Sequence, residues 1–267
     1  MEIPFWKMAA TGNDFIVIDG FAEPLHFDVS EIQKLCRRKT GIGADGLMVL
    51  HPGASGIDFR MQYFNADGFE VEMCGNGARA ISFFHHEKNR NAKENYVFET
   101  KEGTYFSTVC DDFVKVRMTE IGDEGSIDVS DLVKAKLSTY INIGVPHCVY
   151  EVENLESYDV AGEGKRVRHD ERFPRGTNCN FFEKKGDHIS IRTFERGVEE
   201  ETLACGTGTV ACALALYLAG DRQKTYRFRA PGGELCVEVK SREEVYLCGK
   251  VEKIFEGVFQ KDAAHRS

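Results

Sequence analysis

The most apolar run of the chain covers residues 209–219, with Val210-Ala211-Cys212-Ala213-Leu214-Ala215-Leu216-Tyr217-Leu218 at its heart and Gly220 behind it. Its length suits a helix, and no face of that helix would be polar. Such a helix must be surrounded by protein. It is too short to span a bilayer. Gly220 is placed to stop it as the C′ residue. A second run, with Ala78, Ala80, Ile81, Phe83 and Phe84, also reads as a helix. Segments of strand character follow each run: 96–100, 103–109 and 114–118 after the first, 225–230, 234–240 and 244–252 after the second. Strands wrapped around a buried central helix explain both patterns. Upstream, 15–19, 47–50 and 59–64 read as strands. Asn65-Ala66-Asp67-Gly68 reads as a hairpin turn. Residues 30–39 fit a short helix, with Ser30 as N-cap and Gln33 completing a capping box.

The two halves look like a duplication. Met73-Cys74-Gly75-Asn76-Gly77-Ala78-Arg79-Ala80 precedes the first central helix, and Ala204-Cys205-Gly206-Thr207-Gly208-Thr209-Val210-Ala211 precedes the second. Each is a cysteine at the end of an extended segment, then a Gly-x-Gly turn, then a helix start. Asn13 precedes Cys74 by 61 positions and Val145 precedes Cys205 by 60. Tyr63-Phe64-Asn65 likewise corresponds to Thr193-Phe194-Glu195. Two like domains are expected, 1–120 with Cys74 and 121–267 with Cys205. The last residues are free to pack back on the first domain.

Length and charge narrow the class. A chain of 267 residues holds two ordinary domains. A net charge of −9 disfavours general nucleic-acid binding and anionic membrane surfaces. Met1-Glu2-Ile3-Pro4-Phe5 lacks the charged and apolar regions of a signal peptide. Nine cysteines without a CxxC pair or zinc spacing suit a reducing, cytoplasmic setting in which most are simply buried. No metal site and no prosthetic group is expected.

The paired Cys-Gly-x-Gly carries the chemistry. Amides at a helix start lack partners, and the macrodipole is positive there. A cysteine at that place should be unusually acidic. A carboxylate should bind beside it. One copy alone is weak evidence, since tight turns with inert cysteines look the same. Gly206-Thr207-Gly208-Thr209-Val210-Ala211 even fits a relaxed dinucleotide fingerprint. That motif needs a βαβ unit with an acidic residue about 20 positions on, and short strands follow here instead. Two matched copies point to proton abstraction next to a carboxylate. One thiolate removes the proton from one face, and the other thiol reprotonates the opposite face. Backbone donors stabilise the charge that develops between these steps.

Read together, Gly12-Asn13-Asp14-Phe15, Gly41-Ile42-Gly43-Ala44-Asp45-Gly46, Phe64-Asn65-Ala66-Asp67-Gly68, Cys74-Gly75-Asn76-Gly77-Ala78-Arg79, Pro146-His147, Glu195-Arg196-Gly197 and Cys205-Gly206-Thr207-Gly208 resemble the diaminopimelate epimerase family over nearly the whole chain. The resemblance implies an α+β fold of two similar, pseudo-symmetric domains. Each would be a curled mixed β-sheet or barrel around a central buried helix, with the substrate between the domains. It implies pyridoxal-phosphate-independent interconversion of LL- and meso-diaminopimelate, for lysine and peptidoglycan precursor synthesis, by a homodimer. It assigns Cys74 and Cys205 as the acid/base pair. The amides of Gly75, Asn76, Gly206 and Thr207 would hold the reacting carboxylate. Asn13, Asn65 and Asn178 would orient the substrate, Glu195 would contact its amine, and Arg196 would pair with the distal carboxylate. His147 is expected near the thiols.

Two features depart from the family pattern, both in the distal recognition region. Val145 stands where Asn is frequent, and 198–202 is one residue longer than the commonest spacing. Two other readings stay open. A related two-cysteine racemase would act on proline or hydroxyproline, although such relatives tend to carry Cys-Gly-His at the first cysteine. A non-catalytic carboxylate-binding protein would keep the helix ends and dispense with the thiols.

Overall fold

A computed structural model describes residues 1–23, 25–71, 73–89, 93–118, 122 and 125–261. The chain divides into two compact units, one of Met1–Val116 with Lys250–Ser267 and one of Arg117–Gly249. The boundary expected at 120/121 falls outside the described residues.

Unit 1 opens with β1 (Glu2–Ala10) and β2 (Asn13–Asp19), which pair antiparallel. Helix α1 (Val29–Cys36) crosses over to β3 (Gly46–Pro52), parallel to β2. Strands β4 (Phe59–Asn65) and β5 (Glu70–Val71) follow antiparallel and lead to α2 (Gly75–Lys88). That helix crosses over to β6 (Asn95–Thr100), parallel to β4. Strands β7 (Gly103–Cys110) and β8 (Phe113–Met118) meander on.

Unit 2 repeats the order. Strands β9 (Leu137–Asn142) and β10 (Pro146–Glu151) pair antiparallel, and α3 (Val160–Arg168) crosses over to the parallel β11 (Asn178–Lys185). Strands β12 (His188–Glu195) and β13 (Glu200–Thr202) lead to α4 (Gly206–Leu218). Then come β14 (Thr225–Ala230), parallel to β12, β15 (Gly233–Ser241) and β16 (Glu244–Lys250). The last strand, β17 (Glu252–Gln260), belongs again to unit 1, where it pairs antiparallel with β1.

In each unit the sheet curls around its central helix, and a crossover helix covers the opposite face. Ala78, Ala80, Ile81 and Phe84 of α2 pack on Phe15, Val17, Met48, Phe98 and Val109. Ile16, Ile18 and Val49 face the other way, toward Ile32 and Cys36 of α1. Burial on both faces is why 15–18 reads as an unbroken apolar run. Helix α4 is buried from Thr209 to Leu216, against Val149, Phe182, Val237 and Leu247. This accounts for its lack of a polar face. It ends as its sequence indicates. Gly220 takes a φ of 102°, Asp221 N donates to Leu216 O at 3.0 Å, and Gly220 N donates to Tyr217 O at 3.3 Å. No helix among the described residues is long and apolar enough to cross a membrane.

Two expectations need correction. Helix α1 starts earlier than 30–39 suggests and stops at Cys36. Its N-cap is Asp28, whose carboxylate accepts from Glu31 N at 2.8 Å while Glu31 Oε2 accepts from Asp28 N at 3.0 Å. Ser30 donates its hydroxyl to Asp28 at 2.7 Å and so serves the cap rather than being it. The segment 244–252 is not one strand. It breaks at Val251, whose N–H donates to Asp112 O at 2.8 Å and whose side chain joins the core around α2.

Candidate active site

Both motif cysteines are helix N-caps with extended backbones, Cys74 at φ −132° and ψ 118°, Cys205 at φ −120° and ψ 110°. Each sulfur accepts from the third helical amide, Gly77 N or Gly208 N, at 3.4 Å. The intrahelical ladder begins with Ala78 N to Cys74 O at 2.7 Å and Thr209 N to Cys205 O at 2.9 Å. The amides of Gly75, Asn76, Gly206 and Thr207 therefore have no acceptor within their helices. They stand at the positive helix end, where an anion is favoured. Thr207 also brings its hydroxyl to 3.4 Å from the Cys205 sulfur.

Strand register gathers the other candidates of each unit at the same end of its sheet. In unit 1, Phe15 lies opposite Gly46, and Gly46 opposite Asn65. Asn13 is thus at the start of β2 and Asn65 at the end of β4. Asn76 is buried and donates its side-chain amide to Asn13 Oδ1 at 2.7 Å. Asn13 in turn donates to Asp45 Oδ2 at 3.0 Å. Arg79, fully buried, donates to Asn76 Oδ1 at 2.5 Å. The order of donors fixes how both asparagines are turned. Arg38 bridges Asp14 and Asp45, and Lys7 reaches Asp14 at 2.7 Å. Burial works to raise the Asp14 carboxyl, but Arg38 and Lys7 outweigh it and hold it at about 2. Asn65 closes the β4–β5 turn with its backbone, donating to Phe69 O at 3.1 Å and accepting from Gly68 N at 2.9 Å.

In unit 2, His147 lies opposite Asn178 on the parallel strands β10 and β11. Asn178 donates to Pro146 O at 3.1 Å and accepts from Arg196 N at 2.9 Å. One side chain thereby ties the start of β10 to the end of β12. Glu195 accepts from Thr202 Oγ1 at 2.9 Å. Burial raises its carboxyl above the ordinary value, and the threonine only partly offsets this. The guanidinium of Arg196 makes no hydrogen bond or salt bridge among the described residues, although it is half-buried. His147 is wholly buried, and burial first, then the charge of Arg196, push its imidazole down to about 3.

The structure thus joins Asn13 and Asn76 to the Cys74 helix start. It joins Asn178 to Arg196 and Thr207 to Cys205. Three residues escape the motif reading: Asp45, Arg79 and Asn180. The first two lie within motif segments, but their roles depend on hydrogen bonds across the sheet. Asn180 is two residues beyond Asn178 on one strand, so both point to the same face. That spacing was the available signal.

A curled sheet around a central helix, repeated in two units, is a fold shared with solved structures. The PhzF-family phenazine biosynthesis protein of Bacillus anthracis superposes with a TM-score of 0.73 at 16% identity, over 98% of this chain and 100% of that one. A probable proline racemase from Agrobacterium radiobacter gives 0.68 at 15% identity, over 99% and 94%. Among proteins of this fold, the chain belongs to the diaminopimelate epimerase family, whose model matches residues 5–122 and 139–254. The diaminopimelate epimerase of Aquifex aeolicus is 40% identical over 95% of this chain and 96% of that relative. The enzyme of that name from Chlorobaculum tepidum is also 40% identical, over 94% and 98%.

Proposed function

We propose that the protein interconverts LL- and meso-diaminopimelate by proton transfer at one α-carbon, with Cys74 and Cys205 as the acid/base pair. The observation that carries this reading is the repeated N-cap geometry. Two sulfurs sit at equivalent helix starts, each held by the third helical amide. One thiolate takes the α-proton, and the other thiol delivers a proton to the opposite face. In the reverse direction the roles exchange. Negative charge leaving the carbon spreads into the adjacent carboxylate. The amides of Gly75, Asn76, Gly206 and Thr207 donate to it there, which lowers the barrier to forming the carbanion. A thiol titrates close enough to neutrality to serve as base or acid.

Recognition follows from the remaining groups. Arg196, a half-buried cation without a carboxylate partner among the described residues, suits the distal carboxylate. Glu195, desolvated beside Thr202, suits the substrate's ammonium group. Asn13, Asn65 and Asn178 orient the substrate. All of these steps use the chain's own residues, without a prosthetic group. The product would feed lysine and peptidoglycan precursor synthesis in the cytoplasm, and the family resemblance supports a homodimer.

The test is to incubate purified protein with LL-diaminopimelate, proline, hydroxyproline and other amino acids, followed by chiral analysis. Inversion of diaminopimelate alone is expected. Inversion of proline or hydroxyproline instead would assign the related racemase activity. Binding without α-proton exchange would overturn the reading altogether.

A further inference from the structure

Behind the first turn of α4 lies a buried polar lattice to which the two-thiol chemistry assigns no part. His147, Asn180 and Thr193 compose it, with relative exposures of 0%, 0% and 3%. Asn180 Nδ2 is 3.0 Å from His147 Nδ1 and 3.0 Å from the Cys148 carbonyl oxygen. A carbonyl only accepts, so the nitrogen of the amide must face this side. One of its hydrogens goes to Cys148 and the other to Nδ1. Nδ1 is therefore an acceptor, and the neutral ring carries its proton on Nε2. Thr193 Oγ1 donates to Asn180 Oδ1 at 3.0 Å and completes the amide's bonding. His147 Nε2, by contrast, has no partner among the described residues. A buried N–H that no protein group accepts is costly, and it leaves this ring nitrogen available as a donor.

Unit 1 shows that the fold does not demand this lattice. By register, the positions of His147, Asn180 and Thr193 correspond to Phe15, Met48 and Tyr63. These three pack as core side chains, with the Phe15 and Tyr63 rings 5.9 Å apart. Met48 Sδ stands 3.2 Å from where a Cβ on Gly77 would be. Asn180 Oδ1 stands 2.1 Å from the corresponding point on Gly208. The same place under the helix start is therefore filled by a thioether in one unit and by an amide in the other.

We propose that Asn180 is a positioning residue: it holds His147 as an Nε2–H donor for negative charge that develops at the Cys205 end of α4. This inference rests on the reading that the Cys205 helix start binds substrate. Burial of the ring, and after it the charge of Arg196, keep His147 neutral.

The test replaces Asn180 in the full-length protein, Asn180→Leu first. The readouts are the ¹⁵N resonances of the His147 imidazole and steady-state kinetics with LL-diaminopimelate. Wild type should show a neutral ring protonated on Nε2. Asn180→Leu should lose that tautomer preference and lose on the order of tenfold in kcat, with a smaller change in KM. Should Asn180→Leu fail to fold, Asn180→Ser takes its place. Its shorter hydroxyl has one hydrogen where the amide uses two, so the preference should weaken in the same direction. A folded variant that keeps the Nε2–H tautomer overturns the proposal, as does one that loses it with kcat unchanged. If the wild type fails to invert diaminopimelate, the two-thiol reading falls, while the resonances still decide whether Asn180 fixes the ring.

Discussion

His147 is a group whose surroundings decide its protonation state at every pH of interest. Burial and the neighbouring Arg196 bring its imidazole down to about 3, from an ordinary value of 6.5. Between those values the unfolded chain binds a proton that the native protein refuses. More protons bound in the unfolded state means that stability rises with pH and falls on acidification. The loss sets in as pH drops below about 6.5 and continues toward about 3, where the native ring also protonates. A His147→Gln variant lacks this contribution. Its urea midpoint should change less than that of wild type from about pH 7 to about pH 5. Equal slopes for the two proteins would mean that His147 does not stay neutral in the fold. Asp14 has the opposite charge logic but the same sign. Its carboxyl, held at about 2 by Arg38 and Lys7 against the pull of burial, loses its stabilising pairs only in stronger acid.

At the scale of elements, helix α1 shows how local rules can fit two registers. Ser30 with Gln33 resembles a capping box, and so does Asp28 with Glu31. The second pair wins because both reciprocal bonds form, at 2.8 Å and 3.0 Å. Asp28→Ala should therefore cost about 1 kcal/mol in a denaturant titration. Ser30→Ala, which loses only a surface hydroxyl bond to Asp28, should stay within about 0.5 kcal/mol. A larger loss from Ser30→Ala than from Asp28→Ala would restore the later start. The central helices were more legible. Their apolar residues and their Cys-Gly-x-Gly entries state both burial and position without help from the rest of the chain. What sequence could not provide was pairing. Strands β9 to β13 and α3 carry no turn or motif signal as strong as the central helices do. The break at Val251 exists only because Asp112 O and the core around α2 are there to receive that residue. Asn180 and Asp45 belong to the same category, since each acquires a role through a partner on another strand.

At the scale of the whole molecule, the chain is one topology written twice with different chemistry around equivalent thiols. The cap geometry of Cys74 recurs at Cys205, yet Phe15, Met48 and Tyr63 in one unit stand where His147, Asn180 and Thr193 stand in the other. Duplicated helix starts with separate sulfurs favour two bases over one, and isotope placement separates those cases. A single base that served both faces of the carbon would carry the same exchangeable proton to either side. It would label recovered substrate and product alike. With two bases, the thiolate on one face takes the substrate's proton, while the thiol on the other face already holds a proton from solvent. In heavy water at early times, deuterium should therefore appear at the α-carbon of the product, and recovered substrate should stay mostly unlabelled. Cys74→Ala and Cys205→Ala should each abolish inversion, because either variant lacks the donor in one direction and the acceptor in the other. Mass spectrometry of the separated stereoisomers makes the measurement. Equal early labelling of substrate and product, or substantial inversion by either single variant, would show that the two thiols do not share one α-carbon in the way their matched caps suggest.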